Sequence, residues 1–133
     1  MLRACLPLVV LLAPASAMAG ESTATTQEIR HLFSVLKASP CRFQRNGTWH
    51  DAAEASNHLL RKRDYLARKG LLTSTEAFID LAASRSSLTG QAYQVQCGRD
   101  AALSSAAWFR AELAAYRQRA TPTKPRSVGQ SSE

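Results

Sequence analysis

The sequence of 133 residues has few cysteines and no long apolar run. Its three cysteines are Cys5, Cys41 and Cys97, and they form neither a Cys-x-x-Cys redox pair nor, with histidines, a cluster of zinc-site spacing. The apolar stretch from Leu6 to Ala13 is far shorter than the roughly 20 residues that a membrane-spanning helix needs. We therefore expect no cofactor, no bound metal and no membrane span.

The N-terminal residues have the pattern of a secretory signal peptide. Arg3 supplies a short positive region, an apolar stretch follows, and Ala17-Met18-Ala19 offers a small-x-small cleavage site. We predict a signal peptide at 1–19, export to the periplasm and a single globular domain at 20–119.

The last residues, 120–133, have a composition that does not form a hydrophobic core. They contain two prolines and several small polar residues, with almost nothing apolar. Such a composition cannot bury enough surface to offset the entropy of ordering the chain. We predict a disordered tail.

Acidic side chains are fewer than basic ones, 10 against 17, and the resulting positive charge favours anionic partners. Cleavage of 19 of the 133 residues leaves 114, and loss of Arg3 lowers the 17 basic side chains to 16 and the net charge from +7 to +6. In the cytoplasm such a charge would point first to nucleic acid. Outside it, the anions at hand are lipid head groups, lipopolysaccharide, wall polymers or acidic proteins. We expect an anionic envelope component or an acidic protein as partner, and no nucleic acid.

Cys41 and Cys97 are predicted to form a disulfide, because an even number of cysteines in an exported domain favours a bond. Each cysteine adjoins a strand-like run, at 41–47 and 92–97. The two runs predict a two-stranded sheet that carries the disulfide. Asn46-Gly47 indicates a turn, but it need not close a hairpin, since a helical pattern follows soon after it.

Helical patterns account for most of the remaining chain. A capping box of Thr25 and Glu28 predicts the start of the first helix. Either Asp51 with Glu54 or Thr48 with Asp51 can cap the second, which ends before Gly70. A short third pattern contains residues 77–82, and a fourth spans 105–118. The predicted fold class is α+β, mainly helical, with about four helices around the small sheet and one disulfide.

Some residues keep an ordered spacing across these elements: Phe43, Arg45-Asn46-Gly47, Ala55, His58-Leu59, Lys62, Glu76, Phe78-Ile79, Ala83-Ser84, Ser86-Ser87, Gly90 and Tyr93. Over roughly residues 28 to 97 this set resembles an uncharacterised family of small exported bacterial proteins, the YfeK-like domain of unknown function. The resemblance implies a periplasmic, mostly helical single domain with no catalytic residue to carry over. It also implies that only some members have the cysteine pair, which is then a reinforcement rather than the working part.

Several polar residues are candidates for ligand binding: Arg45, Asn46, His58, Lys62, Ser84, Ser86, Ser87 and Tyr93. Arg45 and Asn46 can present a guanidinium and a turn amide to an anion, although such a turn is more often only a turn. His58 and Lys62 lie four residues apart and so share one face of a helix. A histidine there can bind a ligand, or it can simply bond a backbone carbonyl or a loop serine.

The serines between the third helix and the second strand also have two interpretations. Ser84, Ser86 and Ser87 can cradle a phosphate or a sugar, or they can cap the end of the third helix and the entry to the strand. The sequence favours neither interpretation.

We expect no enzyme, because no nucleophile, base and orienting acid converge in the pattern. The predicted function is a small non-catalytic binding module for an anionic or sugar-containing envelope ligand. The alternative is a protein-interaction, inhibitor or immunity-type protein that uses the basic helix face from Arg61 to Lys69.

Overall fold

In the computed structural model, which describes residues 20–121, four helices pack against one antiparallel sheet. The helices are α1 (Thr23–Ala38), α2 (Ala52–Arg68), α3 (Thr75–Ala82) and α4 (Ser105–Ala120), and the strands are β1 (Arg42–Arg45), β2 (Thr48–His50), β3 (Gln94–Gln96) and β4 (Leu103–Ser104). The predicted α+β, mainly helical class is confirmed. The predicted signal peptide at 1–19 and residues 122–133 of the predicted tail lie outside the described residues.

The sheet has four strands, so the expectation of two is wrong. Its order is β2-β1-β3-β4, and every neighbouring pair is antiparallel. Asn46 and Gly47 have φ angles of 50° and 80°. Two positive φ angles are what a type I′ hairpin turn requires, and the turn joins β1 to β2.

The two unpredicted strands are short. β2 has three residues, and Asp51 follows it at once as the cap of α2. β4 has two residues, and its Ser104 is already the N-cap of α4. Neither strand is long enough to show an alternating pattern in the sequence.

The predicted disulfide is present. Cys41 and Cys97 are bonded, with their Cα atoms 4.2 Å apart. Cys41 directly precedes β1 and Cys97 directly follows β3, and the neighbouring residues Arg42 and Gln96 are partners in the sheet. The bond therefore closes one end of a β1–β3 ladder that has only three residue pairs.

Side-chain caps set where the helices begin. The Ser22 hydroxyl accepts from the backbone N–H of Thr25. Ser22 rather than Thr25 is therefore the N-cap, and α1 begins three residues earlier than the predicted capping box would place it. Asp51 and Glu54 form the predicted capping box at the start of α2.

The core lies between the helices and one face of the sheet. Its fully buried side chains include Leu32 of α1, Phe78 of α3 and Val95 of β3. Phe43 pairs with Val95 and faces the same core. Among residues 20–121, no helix combines the length and the apolar character needed to cross a membrane.

Replacement of both cysteines, Cys41→Ala with Cys97→Ala, should lower the free energy of unfolding by about 4 kcal/mol. The reason is that the bond joins residues 56 positions apart and so restricts the unfolded chain. Urea unfolding followed by circular dichroism measures the difference, and reduced wild type should match the double variant. Equal unfolding midpoints for oxidised and reduced wild type would contradict the prediction.

Candidate functional site

Four of the candidate residues form one continuous chain of hydrogen bonds. Arg45 Nη1 lies 2.7 Å from His58 Nδ1, and His58 Nε2 lies 3.2 Å from the Tyr93 hydroxyl. Lys62 Nζ donates to the same hydroxyl at 3.3 Å and to the backbone carbonyl of Arg85 at 3.1 Å. We refer to Arg45, His58, Tyr93 and Lys62 as the polar chain.

The alternation of the strands explains how Arg45 and Tyr93 meet. Side chains two residues apart on a strand share a face, so Arg45 lies on the face of Phe43, and Tyr93 on the face of Val95. The pairing of Gln44 with Gln94 places Arg45 opposite Tyr93 one step further along the ladder. The polar chain thus continues the core-facing row of the sheet to the edge of the core.

The bonds of the polar chain determine the protonation of His58. A guanidinium has only donors, so His58 Nδ1 must accept from Arg45 and the ring is neutral, with its hydrogen on Nε2. That hydrogen is donated to the Tyr93 hydroxyl. Since Tyr93 also accepts from Lys62, the hydrogen of its own hydroxyl is left for an acceptor outside the polar chain.

Burial shifts the pKa values of His58, Lys62 and Tyr93 so that the neutral form of each group is favoured. Burial, then the charges of Arg45, Lys62 and Arg61, lower the pKa of His58 from 6.5 to about 4. Burial and Arg45 also lower the pKa of Lys62. Burial raises the pKa of Tyr93, against the opposing effect of Arg45. At neutral pH, His58 is neutral and the Tyr93 phenol stays protonated, as the hydrogen bonds require.

A pocket of about 320 Å³ opens beside the polar chain. It is lined by residues of β1, β2, β3, α2 and α4: Phe43, Gln44, Arg45, His50, Glu54, Ala55, Asn57, His58, Leu59, Arg61, Tyr93, Gln94, Ser105 and Phe109. Ser105 is the first residue of α4, and its backbone N–H donates to the carbonyl of Tyr93 at 2.8 Å. The positive end of the α4 dipole therefore lies at the pocket.

The lining differs in charge between its two ends. Arg45 and Arg61 line the pocket, and Lys62 lies beside it in the second pocket. None of these three cations has a carboxylate partner among residues 20–121, in contrast to Arg63, which lies 3.4 Å from Glu21. Glu54, the acidic residue of the lining, precedes Arg61 by seven positions, about 10 Å along α2. One end of the pocket is thus positive.

The other end is weakly negative and offers no metal site. Glu54 lies 3.4 Å from His50, and its side chain is 62% exposed. In the part of the chain that the structure describes, no three side chains of the types His, Cys, Asp and Glu come together as metal ligands.

Asn46 and Ser86 hold the hairpin turn against the serine loop. Asn46 Nδ2 donates to Ser86 Oγ at 3.4 Å, and Thr89 Oγ1 donates to Asn46 Oδ1 at 2.7 Å. The Ser86 hydroxyl also accepts from the backbone N–H groups of Leu88 and Thr89, both at 3.3 Å. These contacts order the loop, as in the capping interpretation of the serines.

Ser84 and Ser87 lie in different surroundings. The Ser84 hydroxyl donates to the Ile79 carbonyl at 2.7 Å at the end of α3, and the Ser84 carbonyl accepts from the N–H of Tyr93 at 2.9 Å. Ser87 is exposed and lines a second pocket of about 300 Å³, which shares His58 and Arg61 with the first. Neither serine is a member of the polar chain.

Sequence reasoning missed several residues of the first pocket. Glu54 lies four positions before His58, and Arg61 lies three positions after it. Helical periodicity could therefore have placed both residues on the same face of α2 as His58. Ser105 and Phe109 carry no such signal, because only the packing of α4 on β3 brings them to the site.

The basic run of α2 is divided rather than uniform. Arg61 lines both pockets, Lys62 donates a hydrogen bond to Tyr93, and Arg63 forms an ion pair with Glu21. Lys69 lies over the ring of Tyr65, 5.8 Å from its centroid. The run therefore does not form a single cationic face.

Comparison with known proteins finds one family. A family model described as "Family of unknown function (DUF5329)" matches residues 23–117, which include the polar chain and the whole lining of the first pocket. No curated protein and no solved structure matches the chain.

In an NMR titration, the His58 ring should change protonation with a midpoint near pH 4, because burial and neighbouring positive charges lower its pKa to about 4. The unfolded chain takes up this proton at higher pH than the folded protein does. The stability due to neutral His58 is therefore complete above pH 6.5 and is lost as the pH falls towards 4.

The matched variants are His58→Gln, which should remove this part of the pH dependence of unfolding, and His50→Gln, which should retain it. An NMR midpoint for His58 near 6.5 would mean that the bond from Arg45 to Nδ1 is not maintained in solution.

Proposed function

The chain belongs to the DUF5329 family of unknown function, and from this premise we propose that it is a small non-catalytic binding module for an anionic ligand. One observation carries the proposal. Arg45 and Arg61 line the pocket beside a neutral histidine, and Lys62 reaches the same polar chain through Tyr93. None of the three cations has a carboxylate partner among the described residues.

Such a site binds an anion more strongly than a neutral or a positively charged ligand. Arg45 and Lys62 are half-buried, whereas Arg61 is exposed. Cations that are partly removed from water and not paired with a carboxylate, as Arg45 and Lys62 are, lower the stability of the folded protein. An anion in the pocket would relieve this cost through charge-assisted hydrogen bonds. The donors at hand are the remaining N–H groups of Arg45, the guanidinium of Arg61 and the hydroxyl hydrogen of Tyr93.

The surroundings of His58 support a role in binding rather than in catalysis. A catalytic histidine of the hydrolase type has an acid behind it and a nucleophile in front. The ring nitrogens of His58 are instead bonded to Arg45 and to Tyr93, a cation and a neutral phenol. A histidine held neutral with a pKa of about 4 is a poor base at neutral pH.

The compartment and the origin of the ligand are part of the same proposal. We place the protein in the periplasm, as a member of the YfeK-like group, and take its ligand from the anionic or sugar-containing components of the envelope. The leader pattern at 1–19 supports export. The Cys41–Cys97 bond supports an oxidising compartment.

The alternative is an interaction, inhibitor or immunity-type role for the basic run of α2. It has less support, because Lys62 and Arg63 make contacts within the protein itself. Arg68 and Lys69 remain exposed at the end of the helix.

Arg45→Gln should reduce the affinity for inorganic phosphate by about tenfold or more, since it removes a charged donor from the pocket. The measurement is the thermal midpoint of the oxidised protein against phosphate concentration. At a concentration of about 100 times Kd, wild type should gain nearly 3 kcal/mol of stability. Sulfate, envelope sugars and muropeptides complete the panel.

Arg42→Gln is the matched control, because Arg42 lies on the same strand but is exposed and outside the pocket. Its phosphate affinity should stay within about twofold of wild type, since a distant surface charge is screened. An equal loss in both variants would make the effect one of net charge, and the absence of any shift across the whole panel would overturn the proposal.

Cleavage after Ala19 should give a mature protein that begins at Gly20 and is recovered in the periplasmic fraction of a Gram-negative host. N-terminal sequencing of that fraction makes the test. Ala19→Arg, which removes the small residue at the cleavage site, should accumulate as the uncleaved precursor. An intact Met1 on wild-type protein in the cytoplasm would contradict the proposed location.

A further inference from the structure

We infer that the anionic group of the ligand is carried on an apolar body, so that the pocket binds an aliphatic or aromatic carboxylate or phosphate rather than a bare inorganic anion. The inference rests on the proposed anion-binding function and adds to it the chemical class of the ligand.

The floor of the first pocket is apolar. Phe43, Leu59 and Phe109 all line it, yet they are only 7%, 5% and 1% exposed. They therefore reach the pocket from within the core, and the small side chain of Ala55 leaves space above them. Pockets that hold organic ligands commonly combine such an apolar lining with a few polar groups that orient the ligand.

The polar groups lie at the rim and are unevenly charged. Arg45 and Arg61 give one end its positive charge, and Glu54 with His50 lies at the other. Glu54 and Arg61 are separated by about two turns of α2, or about 10 Å, and Arg45 is bonded to His58, which lies between them on the helix. A ligand that has its anion at Arg45 and its carbon skeleton on the apolar floor matches both the charge and the lining.

A bare anion would use only a part of this site. Phosphate or sulfate at the positive end would leave water on Ala55 and on the accessible edges of Phe43 and Leu59, whereas an attached apolar group would displace that water with a gain in free energy. The pocket volume of about 320 Å³ lies at the lower end of the range of small-molecule sites, which is roughly 300 to 1,000 Å³. It has room for a small carbon skeleton in addition to the anionic group.

The test is a series of straight-chain carboxylates, from acetate through butanoate to hexanoate, with inorganic phosphate and hexan-1-ol as reference probes. Calorimetric or NMR titration of the oxidised wild-type protein gives each Kd. Burial of one methylene contributes about 0.8 kcal/mol, so affinity should rise about fourfold for each methylene added. Arg45→Gln should weaken the binding of every carboxylate in the series.

Substitution of two alanines of α2 by leucine tests where the carbon chain of the ligand binds. Ala55→Leu places a larger side chain in the pocket and should abolish the gain in affinity from acetate to hexanoate. Ala53→Leu is the matched control, because Ala53 lies on the same helix but is exposed and outside the lining. It should leave the whole series unchanged.

Each outcome separates the inference from the function on which it rests. If acetate, phosphate and hexanoate bind equally and their binding depends on Arg45, the proposed function stands. The inference that the ligand has an apolar body is then overturned. If hexan-1-ol binds as tightly as hexanoate and Arg45→Gln has no effect, or if no anion binds, the anion site itself is overturned. Should Ala55→Leu fail to fold, the wild-type series still decides, because equal affinity along it contradicts the inference.

Discussion

The pairing of β1 with β3 is the constraint on which the site depends. The two strands come from distant parts of the chain, and the ladder between them has only three residue pairs, with the Cys41–Cys97 bond at one end. At the other end the same register brings Arg45 opposite Tyr93. Helix α2 then needs only to pack across this end for His58 to contact both side chains. A slip of one residue would turn Arg45 or Tyr93 to the other face, so register and site are linked.

The electrostatics of the polar chain follow from a neutral histidine among cations. Neutral His58 provides the acceptor that the guanidinium of Arg45 requires, and protonation would remove it. Glu28 and Glu76 both contact Arg117, and Glu21 contacts Arg63, so these carboxylates are engaged away from the polar chain. This excess of hydrogen-bond donors over acceptors is the feature on which the proposed anion site rests.

Local signals predicted much of the fold. The Asp51–Glu54 pair and the helical patterns are local signals, the even cysteine count needs no knowledge of the fold, and each corresponds to an observed feature. β2 and β4 were not predictable in this way, because two or three residues cannot show an alternation. Their pairing depends on neighbours that are remote in sequence. For the same reason, the turn at Asn46-Gly47 was recognised as a turn but not as a hairpin.

The sequence by itself determined the class of the fold, its disulfide and a set of polar residues that includes Arg45, His58, Lys62 and Tyr93. Only the tertiary structure decided which of these residues meet, and it separated them from Asn46, Ser84 and Ser86, whose side chains order a loop or cap a helix. It also divided the basic run of α2 and brought Phe109 beneath the pocket. The physical reason is that capping and periodicity act within one turn of a helix or a few residues of a strand. The direction of a charged side chain and the floor of a pocket depend instead on how separate elements pack.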